Sequence, residues 1–200
     1  SDMNLNENLS STPQERRELM DLVERMQGAF TTIAKSKIPT IALAHGFCIG
    51  GATSLVSACD IRLATKDAKF SIGETKLGLV ADVGVIQRMP KIVSSGDMNE
   101  LALTGRIFDG EYAEKIRFVS KAYENSDELF EAGEKLANEI SSNSKRIVQA
   151  TKEALEKSSN LTVDQGLDYA KLWSTSFLVS EDLREGVMAF LEKRDPKFNE

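Results

Sequence analysis

Ile38-Pro39-Thr40-Ile41-Ala42-Leu43-Ala44-His45-Gly46-Phe47-Cys48-Ile49-Gly50-Gly51-Ala52-Thr53-Ser54-Leu55-Val56-Ser57-Ala58-Cys59-Asp60-Ile61-Arg62-Leu63-Ala64 is the stretch that decides the fold. Its opening residues, to Ala44, are short, apolar and partly β-branched, and predict a buried strand with Pro near its start. His45-Gly46 ends that strand, and Gly46 to Gly51 predicts a tight turn. From Gly50 the residues are small, and Leu55, Val56 and Ala58 predict a buried helix that begins at the glycine pair. Asp60 to Ala64 predicts another strand. Strand, glycine turn, helix and strand in that order are an α/β signature.

Upstream, Ser1 to Ser11 is polar and without periodicity. Ser11-Thr12-Pro13-Gln14-Glu15 then places Pro and an acid where a helix start leaves its NH groups unpaired. Leu19, Leu22, Val23, Met26 and Phe30 recur at helical spacing, and this helix is expected to end near Lys35-Ser36. Downstream, Lys69 to Ile72 predicts a third strand, followed by a loop around Glu74 that runs to Gly84. Gly96 to Gly105 predicts a helix, Asp109-Gly110-Glu111 a turn, Tyr112 to Ile116 a helix and Phe118 to Ser120 a last strand. Beyond Ser126 the pattern is wholly helical, over Leu129 to Ile140, Ile147 to Leu155, Asp164 to Trp173 and Asp182 to Arg194. The expected layout is an α/β body over residues 1–125 and a helical region over 126–200.

The 200 residues are 41% hydrophobic and 28% charged with a net charge of -6, an ordinary globular composition without the basic face of a nucleic-acid binder. Cys48 and Cys59 form no CxxC pair, so neither a disulfide framework nor a metal site is expected. The longest apolar runs, such as Ile38 to Ala44, are far short of the roughly 20 residues that cross a bilayer, and a reduced, soluble compartment is expected. No targeting signal is visible, and Lys197-Phe198-Asn199-Glu200 is not a Ser-Lys-Leu type ending.

Two features carry chemistry. The glycine pair Gly50-Gly51 leaves backbone NH groups pointing outward at a helix start, where they can hold an anion or serve only close packing of helix on strand. Its Gly-x-x-x-Gly-Gly spacing fits neither a dinucleotide fingerprint nor a P-loop. Glu74 and Asp82 lie eight residues apart among glycines and apolar residues, Ile72-Gly73-Glu74-Thr75-Lys76-Leu77-Gly78-Leu79-Val80-Ala81-Asp82-Val83-Gly84. Either acid alone reads as a solvated loop residue. As a pair they suggest general acid/base work, with burial favouring proton transfer near neutral pH.

His45 to Gly51, Ala58 to Arg62, Phe70 to Glu74 and Leu79 to Pro90 follow, in order and spacing, the pattern of the enoyl-CoA hydratase/isomerase (crotonase) family. The chain most resembles the dienoyl-CoA isomerases, and the resemblance resumes at Thr104-Gly105 and Glu185 to Arg194. It implies a crotonase-like ββα spiral core with its N-terminal part missing, and a C-terminal helical trimerisation region. It also implies a fatty acyl-CoA thioester as substrate, no separate cofactor, and a homotrimer or a hexamer built as a dimer of trimers. The implied compartment is cytoplasmic, or mitochondrial or peroxisomal in a eukaryote.

In such enzymes two backbone NH groups stabilise the enolate formed when a proton leaves C2. The resemblance assigns one NH to Gly51 and the other to Ser1, at the start of Ser1-Asp2-Met3, with Asp2 and Met3 as coenzyme A contacts. The chain then starts abruptly inside the fold, as a fragment, after cleavage, or behind a cloning remnant. Glu74 matches the glutamate shared by hydratases and isomerases, and Asp82 an aspartate of the dienoyl-CoA isomerases. The other acid of both enzyme types would fall at Ser54, which cannot act as a carboxylate and argues against hydration. Phe190 and Lys193 match positions where a C-terminal helix, often a neighbouring subunit's, approaches coenzyme A. Alone they are an ordinary apolar residue and a surface cation.

The expected activity is double-bond migration in an acyl-CoA, 3,5-dienoyl to 2,4-dienoyl or 3-enoyl to 2-enoyl. Enoyl-CoA hydration, or acyl-CoA binding without turnover, is the alternative. A serine peptidase on the related Clp-type fold would need a triad, and Ser54 with the lone His45 makes a poor one. A structural role is expected for His45, and a core role for Trp173 and Phe177.

Overall fold

The computed structural model describes residues 12–198. The first helix, α1 (Pro13–Ala34), begins where the sequence places it. Thr12 accepts from the Glu15 amide and Glu15 answers on the Thr12 amide, a reciprocal cap that satisfies two otherwise free donors. Strand β1 (Ile41–Ala44) follows, then β2 (Phe47–Ile49), α2 (Gly51–Ala58), β3 (Ile61–Thr65) and β4 (Lys69–Ser71). A single 3-10 turn over Gly73–Leu77 leads to the short α3 (Val85–Arg88), then α4 (Ser95–Thr104), β5 (Phe108–Asp109), α5 (Gly110–Lys115) and β6 (Lys121–Tyr123). Four helices close the chain: α6 (Ser126–Ser141), α7 (Lys145–Ser158), α8 (Val163–Phe177) and α9 (Glu181–Glu192).

The first four strands alternate between two sheets, in keeping with the spiral expected of the crotonase fold, and β5 and β6 then add one strand to each. Among the described residues one sheet runs β1-β3-β6, all parallel, with Leu43 opposite Leu63 and Leu63 opposite Lys121. The other runs β2-β4-β5, with β4 antiparallel to β5 through Phe70 opposite Phe108. Phe70, Phe108 and Phe118 fill the core, with Phe70 stacked on Phe108 and edge-on to Phe118, each pair 5.5 Å apart. Lys152 of α7 reaches back to Asp60 at 2.7 Å, and Asp60 also accepts from the Thr40 amide at 2.7 Å, so α7 is tied to the turn ahead of β3.

Three expectations are corrected. Gly46 to Gly51 is not a tight turn throughout, because Phe47–Ile49 forms β2 against β4. Asp109 does not open a simple turn but ends β5, and its side chain caps α5 through the Tyr112 amide. The last strand is Lys121–Tyr123, not Phe118–Ser120. Phe118 and Val119 are fully buried in irregular backbone just after Arg117, whose φ of 67° breaks any extended run. Their apolar character reports core burial rather than a strand.

Candidate active site

The first turn of α2 is the best-supported landmark. Gly50 precedes it with φ 57° and ψ -116°, a backbone state that a side chain disfavours. Its amide donates to the Ser71 carbonyl at 3.0 Å, which pins the glycine to the end of β4. No side chain caps α2, and Gly51, its first residue, is exposed with open space around its Cα. The leading amides of α2 therefore face outward with the positive end of the helix behind them, ready to bind an oxygen that gains charge.

Glu74 arrives at the same place from the other side. It lies in the 3-10 turn that follows β4, and that turn is closed by the Leu79 amide donating to the Glu74 carbonyl at 3.0 Å. The half-buried side chain backs onto Gly50, with Oε1 only 3.4 Å from where a Cβ on that glycine would sit. Its Oε2 is buried without a hydrogen-bond partner among the described residues. A carboxylate with one buried, unengaged oxygen has spare accepting capacity aimed at a ligand or a proton.

Asp82 is placed differently. It is exposed, not buried as its apolar neighbours suggest, because Ala81 and Val83 on either side turn into the core and leave Asp82 facing out. Its backbone is nevertheless held. Gln27 of α1 donates to the Asp82 carbonyl at 2.6 Å, and Arg88 ties the Val83 carbonyl at 3.3 Å to Thr31 of α1 at 3.2 Å. Neither Gln27 nor Arg88 stands out as a support in the sequence, since α1 and this loop are about 55 residues apart. Among the described residues no hydrogen bond joins the Glu74 and Asp82 carboxylates.

The structure thus brings Glu74 to Gly50 and Gly51, with Asp82 on a tethered loop eight residues further on. It does not bring Phe190 or Lys193 there. Phe190 is 83% exposed on α9 and lines an apolar groove with Ile147, Phe177 and Leu183, and Lys193 ends α9 in a left-handed turn. Ser1, Asp2 and Met3 lie outside the described residues. Ser54 is fully buried, in the first turn and a half of α2. His45 is exposed at the end of β1 and meets Phe130 edge-on at 5.8 Å. Trp173 and Phe177 are half-buried rather than core, stacked face to face at 5.7 Å on α8.

Other chemistries find less support. Burial pushes the Cys48 and Cys59 thiols above the usual cysteine range, so neither is a ready thiolate nucleophile. Among the described residues no group of three His, Cys, Asp or Glu side chains could hold a metal ion, and no helix is long and apolar enough to cross a membrane.

Residues 7–200 match the family described as enoyl-CoA hydratase/isomerase. The mitochondrial Delta(3,5)-Delta(2,4)-dienoyl-CoA isomerase of Dictyostelium discoideum is 46% identical, over 94% of this chain and 64% of its own length. The peroxisomal enzyme of the same name from Arabidopsis thaliana is 43% identical, over 88% of this chain and 63% of its own. The chain therefore spans slightly less than two thirds of these relatives. Among solved structures, an enoyl-CoA hydratase from Bacillus anthracis superposes with a TM-score of 0.85 at 28% identity, covering 97% of this chain and 74% of that one.

Proposed function

The chain belongs to the enoyl-CoA hydratase/isomerase family, and from that premise we propose that it binds an unsaturated fatty acyl-CoA and shifts its double bonds from 3,5-dienoyl to 2,4-dienoyl. The observation that carries this reading is the Glu74 carboxylate set against the uncapped first turn of α2, with Asp82 on the loop behind it.

In this mechanism the Gly51 amide holds the thioester oxygen, and Ser1, outside the described residues, supplies a second amide. Asp82 accepts the proton that leaves C2. The C2–H electron pair moves into the conjugated system and places negative charge on the thioester oxygen, where the amides stabilise it. Glu74, protonated at the start, gives its proton to the distal carbon C6, and each double bond settles one position nearer the thioester. No water is added. Ser54 weakens hydration most, because water addition needs one acid to place the water and another to protonate C2, and this buried position carries no carboxylate. Coenzyme A itself is part of the substrate.

The C-terminal helices, residues 126–200, are proposed as the trimer-forming region. Leu167, Leu172, Leu178, Leu183, Val187 and Leu191 are all exposed on α8, α9 and the turn between them, an apolar surface that a neighbouring subunit would cover. Phe190 and Lys193 would then reach the coenzyme A of that neighbour, as would Asp2 and Met3 within the same chain. The names of the two isomerases above place those proteins in mitochondria and peroxisomes, and this reading takes either as the compartment.

The experiment is conversion of 3,5-dienoyl-CoA and of 3-enoyl-CoA, followed by the absorbance of the conjugated thioester. Glu74→Gln is expected to lower kcat about 10²- to 10⁴-fold, the usual worth of a positioned acid or base. Asp82→Asn is expected to lose dienoyl conversion to a similar degree. If Asp82→Asn isomerises the dienoyl substrate at full rate, the division of roles between Asp82 and Glu74 is wrong, and turnover of 3-enoyl-CoA but not of 3,5-dienoyl-CoA would make Glu74 the single base of a 3-enoyl isomerase. The exposed Asp82 and the neutral Ser54 favour one second reading, acyl-CoA binding without chemistry. Tight acyl-CoA binding with no turnover of either substrate would establish it.

A further inference from the structure

Helix α2 carries no charged side chain, and its polar groups are three hydroxyls, Thr53, Ser54 and Ser57. All three residues are buried. Two of the hydroxyls are committed to the backbone. Thr53 donates to the Cys48 carbonyl and also lies 3.0 Å from the Ser71 carbonyl, and Ser57 donates to the Ser54 carbonyl at 2.7 Å. Ser54 is the exception. It is 0% exposed, and its Oγ has no partner among the described residues. A buried hydroxyl without a hydrogen bond forfeits the one it made with water, so an orphan of this kind calls for a partner.

Only a handful of buried side-chain atoms share that condition, and one of them is Oε2 of Glu74. Both orphans belong to residues anchored on Gly50. The Ser54 amide donates to the Gly50 carbonyl at 3.1 Å, and the Glu74 carboxylate lies against the Gly50 Cα. One orphan is a donor and the other an acceptor. Lys76 is the basic residue of the same 3-10 turn, Arg106 pairs with Glu100 at 2.9 Å, and Asp82 lies exposed in the next loop. None of them occupies Oε2.

We infer that Ser54 is a positioning residue for Glu74, its hydroxyl donating toward Oε2 across one bridging water, so that Oε1 is held toward the substrate. The inference rests on the proposed role of Glu74, and gives the serine at an expected acid position a task of its own. Losing the hydroxyl frees the carboxylate to rotate. That lowers kcat rather than substrate affinity, since misplaced reacting groups are punished in the transition state.

The test uses Ser54→Ala and Ser54→Thr in the whole chain. Ser54→Ala is expected to keep the thermal midpoint, because the hydroxyl bonds no other described residue directly, while kcat falls roughly ten- to a hundredfold at unchanged KM. Ser54→Thr, which keeps the donor, is expected to restore most of the rate. Independently of turnover, the carboxylate stretching band of Glu74, isolated as the infrared difference from Glu74→Gln, should shift in Ser54→Ala and return in Ser54→Thr. An unshifted band in Ser54→Ala overturns the inference. So does wild-type kcat in that variant. A band that shifts in Ser54→Ala, in a protein whose wild type has no isomerase activity, would sink the isomerase reading and leave the pairing standing.

Discussion

The α/β body and the C-terminal helices use similar proportions of apolar residues to opposite ends. In the body, Phe70, Met89, Leu101 and Phe118 are fully buried, and each helix or strand is pinned by side chains from elsewhere in the chain. In α8 and α9 the buried residues are only Gly166 and Ala189, while Val179 in the turn between them is 98% exposed and Leu191 is 68% exposed. The body makes its own core. The helices have caps and internal bonds, such as the paired Thr162–Gln165 cap, and α8 meets α7 through Tyr169 and Glu153, but many of their large apolar side chains are left exposed among the described residues. Stability within one chain thus rests on the body, and the proposed association would rest on the C-terminal helices.

The contrast is easiest to break in the body. Phe118→Ala removes the ring that meets both Phe70 and Phe108, and is expected to cost about 3–5 kcal/mol of unfolding free energy in a denaturant titration. A matched pair of glycine substitutions comes next. A Cβ at Gly110 would sit 1.9 Å from the Thr65 carbonyl oxygen, so Gly110→Ala must push β3 and α5 apart and should destabilise by about 1–3 kcal/mol. Gly186 in α9 has nothing within 4 Å of such a Cβ, so Gly186→Ala should raise the melting midpoint by about 0.5–1 kcal/mol of helix propensity. Equal losses at both glycines would erase the distinction between the regions.

Smaller effects sharpen it. Leu191→Ser should change single-chain stability by less than about 0.5 kcal/mol, yet lower the assembly state seen by sedimentation velocity. The smallest concerns the tail after α9. Arg194 grips Glu185 at 2.6 and 3.0 Å, and the Lys197 amide adds a third bond at 2.7 Å. The Arg194 guanidinium, then the amide, hold the Glu185 carboxyl down at about 2. Because this group's folded value is depressed, its contribution is present above the ordinary glutamate range and fades as pH falls from about 4.5 toward 2. Tail release, read from the Phe198 resonances, should follow that window, and Glu185→Gln should release the tail at neutral pH.

Much of the fold was legible because the helices announce themselves through caps and periodicity, as Thr12-Pro13 and Asp164 to Trp173 do. β1, β3 and β4 were legible as short apolar runs beside glycines. β2 and β5 were not, since three residues and two residues carry no alternation to read. Phe118-Val119 misled for the opposite reason, being apolar, buried and irregular. At the site, the glycine pair and Glu74 were visible through motif spacing. The exposure of Asp82 and the unengaged hydroxyl of Ser54 depend on contacts between distant segments, which no local pattern encodes. Trp173 and Phe177 pair with each other as their spacing allows, but their burial depends on what covers α8.

The parallel sheet β1-β3-β6 also sets an order of assembly in time. Contacts across β1 and β3 join residues 20 positions apart, as from Thr40 to Asp60, whereas the β6 end is closed by Lys66 and Glu124, 58 positions apart. Closing the longer loop costs about 1 kcal/mol more chain entropy, from the logarithm of the length ratio. The β1-α2-β3 unit, which contains Gly50, Gly51 and Ser54, is therefore the natural nucleus. The aromatic core and β6 join later, and the rate of folding is governed by that late, distant pairing.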